Sequence, residues 1–126
     1  MLYHYTFQTY MGKPLLEDEG LVKYTKQLFL DIAKEKGFKI VESEILVDHV
    51  HILIDQNYTL SSSMVMKFLK GISSRKLLQQ YEASRGDLRK LWAQSFHARK
   101  ISNREREKVI NYIRGQKDAQ GIDKRY

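Results

Sequence analysis

Glu44-Ile45-Leu46-Val47-Asp48-His49-Val50-His51-Ile52-Leu53-Ile54 decides how this chain folds. The run is rich in β-branched residues and alternates with a period of two, so it is predicted to be a strand. Val50, Ile52 and Ile54 then share one face, and His49, His51 and Leu53 share the other. Residues two apart on a strand are separated by roughly 7 Å at the backbone. Imidazoles at that spacing can converge on one metal ion, and neutral imidazole is the commonest metal ligand. A lone His-x-His pair also occurs as ordinary half-exposed strand residues, so a second feature is needed to give it meaning.

The elements on either side supply context. Leu2 to Tyr10 is aromatic and Thr-rich and reads as a first strand, broken by Met11-Gly12-Lys13-Pro14. Glu17, Asp18 and Glu19 suit a helix N-terminus. Leu21, Val22, Thr25, Leu28, Phe29, Ile32 and Ala33 repeat at helical spacing, with Gly37 as the stop. A second strand begins at Phe38 to Val41, and a turn at Glu42-Ser43-Glu44 leads into the histidine strand. Ser61, Ser62 and Ser63 offer N-caps for a second helix, buried through Val65, Phe68, Leu69 and Ile72. Its other face is basic and polar. Tyr81 to Lys90 reads as an exposed connection, and Leu91 to Ile101 as a fourth strand. Ser102-Asn103-Arg104-Glu105 matches a capping box that opens a third helix, buried through Val109, Ile110 and Ile113. The tail from Ala119 is polar and is expected to fray.

This order is that of an α+β, ferredoxin-like (RRM-like) split-βαβ fold occupying residues 1–126 as a single domain. It has an antiparallel sheet with two helices on one face, plus a C-terminal helix. His49 and His51 are expected on the open face.

Composition sets the outer bounds. The chain has 126 residues, 42% of them hydrophobic, which suits one modest core. It has no cysteine, so disulfides, thiolate metal sites and cysteine nucleophiles are excluded. There is no apolar run of the ~20 residues that span a bilayer, and no signal-peptide pattern, so a cytoplasmic protein with no membrane partner is expected. Lys and Arg number 22 against 15 acidic residues, a net charge of +7. A basic surplus of this kind points to a polyanion such as nucleic acid.

The second feature lies on the third helix. Tyr112 and Gln116 are four residues apart and project from the same side. Tyrosine can act as a covalent nucleophile, and a glutamine carbonyl is an oxygen donor for a hard cation. Two imidazoles and one amide oxygen would leave positions open on Mg²⁺ or Mn²⁺ for a scissile phosphate. Against this stands an ordinary packing role for one of eight tyrosines.

Three segments together resemble the single-tyrosine HUH transposases, which move the simplest insertion sequences as single-stranded DNA. Asp48-His49-Val50-His51-Ile52-Leu53 is similar to the HUH motif. Val109-Ile110-Asn111-Tyr112-Ile113-Arg114-Gly115-Gln116 is similar to the nucleophile helix. Lys70-Gly71-Ile72-Ser73-Ser74-Arg75 resembles the family's second-helix segment. The resemblance implies that Tyr112 attacks single-stranded DNA to give a 5′-phosphotyrosine and a free 3′-hydroxyl. It implies a divalent metal on His49, His51 and Gln116, and no nucleotide cofactor. It implies hairpin recognition at element ends and a homodimer whose tyrosine helix typically serves the partner's histidines. Lys70, Arg75, Lys76, Arg99 and Lys100 are the candidates for phosphate contact. Within the same chemistry, a domesticated relative or a replication-type nickase is the alternative. A non-catalytic RRM-like binding module, using Tyr3, Tyr5 and Phe7 to stack bases, is a different class. A small basic structural protein with no site is a third.

Overall fold

The computed structural model describes residues 1–80 and 89–119. Among the described residues, four strands and three α-helices follow one another in chain order. They are β1 (Leu2–Gln8), α1 (Glu19–Lys36), β2 (Lys39–Ile45), β3 (His49–Asp55), α2 (Ser62–Gln80), β4 (His97–Ile101) and α3 (Arg106–Ala119). The sheet order is β2-β3-β1-β4, with every neighbouring pair antiparallel. This is the expected ferredoxin-like arrangement.

The helix boundaries follow local chemistry. Asp18 caps α1, its carboxylate accepting from the Leu21 amide at 2.8 Å. Gly37 ends α1 at φ 84°, a left-handed conformation that costs glycine nothing. The Ser61 hydroxyl accepts from the Met64 amide at 3.1 Å and so opens α2. Ahead of α3, the amide and hydroxyl of Ser102 both donate to Glu105 Oε1, at 3.2 and 3.0 Å. This is the side-chain half of the capping box.

Strand boundaries depart from the sequence expectation in two places. β2 runs through Glu42-Ser43-Glu44, where a turn was expected, and the reversal falls at Leu46–Asp48 instead. Leu46 donates its amide to the His49 carbonyl at 2.8 Å to close that turn. β4 covers only His97–Ile101; upstream of it Trp92 keeps a single antiparallel bridge to Thr9, with its side chain buried in the core. Its ring meets Phe7 edge-on at 4.9 Å, and its Nε1 donates to the Ser73 hydroxyl of α2 at 2.9 Å. A buried indole N–H needs such a partner. Most of the expected 81–90 connection and of the tail lies outside the described residues.

The sheet has an apolar layer on each side. On one side α1 and α2 cover Tyr5, Phe7, Val50, Ile52 and Ile54, all essentially buried. Tyr5 and Phe7 therefore belong to the core, with Tyr3 half-buried against it, and the base-stacking platform is corrected. A ring packed under two helices presents no face to a nucleobase. The opposite side is not open, as had been expected. There α3 lays Val109, Ile110 and Ile113 onto Leu2, Leu53 and Ile101. Each such side chain contributes on the order of 2 kcal/mol by leaving water. Arg114 of α3 also donates to Glu42 of β2 at 3.0 Å.

Candidate active site

β1 and β3 set the frame by their register. His51 stands opposite Thr6, His49 opposite Gln8, and Leu53 opposite His4. The even-numbered residues of β1 thus share the face of both histidines. His4 sits diagonally from His51, within reach of a long side chain. On β4, His97 faces Thr6 and Arg99 faces His4.

The two histidines are buried, at 2% and 1% exposure, because α3 covers their face of the sheet. Each has its Nδ1 engaged by a side chain. His49 Nδ1 lies 2.7 Å from Asp48 Oδ1. Because a carboxylate accepts, the His49 proton sits on Nδ1 and its Nε2 carries the lone pair. His51 Nδ1 lies 3.0 Å from His4 Nε2 and 3.3 Å from Thr6 Oγ1. The two rings stand 5.2 Å apart, nearly perpendicular at 79°. Both Nε2 atoms are buried.

Tyr112 comes to this pair from its own chain. Its ring meets His51 edge-on at 5.7 Å and His4 at 6.0 Å. The short connection from Ile101 to Arg106 folds α3 back over its own sheet, and the apolar stripe of α3 seats it there. The phenol is 43% exposed, at the mouth of a cleft of about 730 Å³. His4, Thr6, His51, Phe96, Arg99 and Tyr112 are among the residues lining it.

Gln116 is half-buried one turn further on, and its amide donates to the Tyr112 carbonyl at 3.3 Å. It is not among the cleft-lining residues. Among the described residues no group of three or more His, Asp or Glu converges as a metal cage. The donors present are two imidazoles with oriented second nitrogens, which suit a divalent ion that keeps other positions for substrate.

The basic candidates divide by layer. Arg99 lies on the histidine face and lines the cleft, paired with Glu105 at 3.1 Å. Lys100 is opposite Tyr3, on the α1/α2 side. Arg75 and Lys76 are exposed on α2, also on that side. Lys70 is committed internally: its ammonium donates to the carbonyls of Gln94 and Ser95 at 3.2 and 3.1 Å and lies 5.8 Å over the Phe96 ring. Burial pushes its pKa down. It ties the approach to β4 onto α2, which is a poor position for meeting phosphate.

His4 was missed by sequence reasoning, although the alternation Leu2, His4, Thr6, Gln8 could have placed it on the histidine face once β1 was paired with β3. Its environment is strongly neutralising. Burial, then the Arg99 charge, pushes His4 down to about 4. Burial, then His4 and His49, pushes His51 down to about 3. Both rings are neutral in the fold at pH 7, whereas an unfolded histidine titrates near ~6.5. Their contribution to stability is full above pH 6.5 and is lost as pH falls from there to about 4 for His4 and about 3 for His51. The limiting slope is about 1.4 kcal/mol per pH unit for each ring. Urea unfolding between pH 7 and 5, above most carboxylate titration, is expected to show stability falling with acid. A flat profile there would contradict this account.

Comparison with known proteins bears on the whole arrangement. A family model for IS200-like transposases matches residues 1–116. The chain belongs to the IS200-like transposase family. It is 29% identical over 97 residues to the ISDra2 transposase TnpA of Deinococcus radiodurans, covering 75% of this chain and 69% of that protein. It is 31% identical over 87 residues to the IS200 transposase of Salmonella typhimurium, covering 64% of this chain. That match spans about half, 54%, of the Salmonella protein. Among solved structures, a candidate transposase from Deinococcus radiodurans R1 superimposes with a TM-score of 0.73 at 25% identity, covering 92% of this chain and 90% of the other. A REP-associated tyrosine transposase, solved bound to a REP hairpin, gives 0.68 at 16% identity, covering 98% and 70%. The second is a likeness of fold alone. Among the described residues of this IS200-like transposase, no helix is long and apolar enough to cross a membrane.

Proposed function

We propose that this IS200-like transposase nicks and rejoins single-stranded DNA through Tyr112. The phenol oxygen attacks a backbone phosphorus, the bond to the 3′-oxygen breaks, and the products are a 5′-phosphotyrosine and a free 3′-hydroxyl. The same hydroxyl, or that of another strand, reverses the step without ATP. The observation that carries this is the approach of the Tyr112 ring to His51, 5.7 Å away in one cleft. His49 and His51 would hold Mg²⁺ or Mn²⁺ through their Nε2 atoms, and Gln116 would add its amide oxygen. When bound, the ion polarises the phosphate and stabilises the charge that develops on it. Asp48 orients His49, and α3 shuts bulk water away from both imidazoles.

The partner is single-stranded DNA carrying hairpins. A fold neighbour bound to a REP hairpin supports this, as does the net charge of +7. Arg99 is the basic residue best situated for the phosphate near the nick. Arg75, Lys76 and Lys100 serve DNA on the other side of the sheet. Two chains cooperate as a homodimer, since each carries one nucleophile and excision needs two cuts. The protein works in the cytoplasm.

The test is a labelled hairpin oligonucleotide with a single-stranded flank, incubated with the protein and Mn²⁺. A covalent adduct that survives denaturation is expected, and its formation should stop with chelator. Hairpin binding should weaken steeply between 50 and 200 mM salt as phosphate contacts release counterions, by at least about tenfold. No adduct on any of a panel of hairpins, together with salt-independent binding, would remove both the reaction and the partner.

A further inference from the structure

His4 contacts the candidate metal site without being one of its proposed ligands. We infer that His4 is a positioning residue: its Nε2 accepts the Nδ1–H of His51 and holds His51 in the tautomer whose Nε2 would hold a cation. This rests on the metal site proposed above.

Three observations support it. The Nε2–Nδ1 separation is 3.0 Å, a full hydrogen bond between rings. The strand register puts the two rings within reach, since His4 and His51 are diagonal neighbours on one face of an antiparallel pair. Finally, the arrangement repeats what Asp48 does for His49. In both cases a protein side chain takes Nδ1, and the buried Nε2 is the remaining nitrogen.

One proton lies between the two rings, and its position has consequences. If His51 Nδ1 holds it, His51 Nε2 is a ligand. If His4 Nε2 holds it, neutral His51 must carry its own proton on Nε2, where it blocks a metal. Asp48 has no such ambiguity, because a carboxylate only accepts. Thr6 Oγ1, at 3.3 Å from the same nitrogen, can share the N–H but is the longer contact. His4 also packs against the edge of the Tyr112 ring, so one side chain touches both halves of the site.

The experiment is nitrogen-15 NMR of the histidine rings in the metal-free protein, paired with Mn²⁺ titration calorimetry. Wild type is expected to show His51 protonated on Nδ1. His4→Leu should shift His51 toward the Nε2–H form and weaken Mn²⁺ binding about tenfold or more, the usual cost of losing a supporting partner. His4→Gln, whose amide oxygen can still accept, should restore the tautomer and bring affinity back to within about threefold of wild type. A role in packing alone would not move the tautomer. The inference is overturned if wild-type His51 is protonated on Nε2, or if His4→Leu leaves tautomer and affinity unchanged. Should His4→Leu fail to fold, the wild-type tautomer still decides. Tight Mn²⁺ binding with His51 protonated on Nε2 would remove the role of His4 and His51 Nε2 as a donor, but not Mn²⁺ binding itself. No Mn²⁺ binding with His51 protonated on Nδ1 would instead remove the metal centre.

Discussion

Tyr112→Phe is expected to form no covalent protein–DNA adduct, a loss of at least about 10³-fold, as removal of a covalent nucleophile usually causes. The substitution is nearly silent structurally. The ring keeps its edge contacts with His4 and His51. The oxygen removed belongs to a side chain 43% exposed at the cleft mouth, so stability should change by less than about 0.5 kcal/mol, as for surface positions generally. Hairpin affinity and Mn²⁺ affinity should stay within about twofold. This separation makes the variant informative: binding survives and chemistry stops. An adduct that persists at the wild-type rate would mean that another of the eight tyrosines, or another residue, is the nucleophile. Peptide mapping of the wild-type adduct would then identify it.

His49→Ala should be almost as damaging to cleavage, by at least about 10²-fold, and more damaging to the fold. His49 is 2% exposed and bonded to Asp48 at 2.7 Å. Truncation removes a metal donor, opens a cavity beneath α3, and strips Asp48 of its imidazole. The last two effects together should cost on the order of 1–3 kcal/mol. Loss of cleavage alone would therefore be ambiguous. Thermal unfolding with and without Mn²⁺ resolves it, because a ligand that binds the native state raises the melting temperature by mass action. Wild type should shift upward with Mn²⁺, and His49→Ala should melt lower and not shift. Cleavage at the wild-type level would take His49 out of the metal set. A persistent Mn²⁺ shift without cleavage would relocate the ion elsewhere.

Much of the fold was legible because the signals are local. Alternation over His49 to Ile54, the spacing of Leu28, Phe29, Ile32 and Ala33, the acidic residues Glu17, Asp18 and Glu19 at the start of α1, the Ser61 cap and the stop at Gly37 each depend on neighbours a few residues away. The failures came where distant residues compete. Trp92 is a strand former by type and keeps one bridge to Thr9, but its N–H meets Ser73 and its ring meets Phe7, and the continuous strand begins only at His97. The β2–β3 reversal falls at Leu46–Asp48 because register with β3, and not turn propensity, sets where β2 ends.

The candidate site divides in the same way. His49, His51, Tyr112 and Gln116 could be picked out from spacing and residue type, and their shared faces follow from the period of a strand and of a helix. What no spacing conveys is how far apart the two halves end up. That was decided when Val109, Ile110 and Ile113 buried themselves on Leu2, Leu53 and Ile101, swinging the phenol to the histidines and sealing a face that the strand pattern alone leaves exposed. His4 entered the site by the same route. Its neighbour His51 lies forty-seven positions along the chain, and only the pairing of β1 with β3 makes them adjacent. Periodicity along one element is written in the order of the residues; which elements meet is settled by the apolar surface they share.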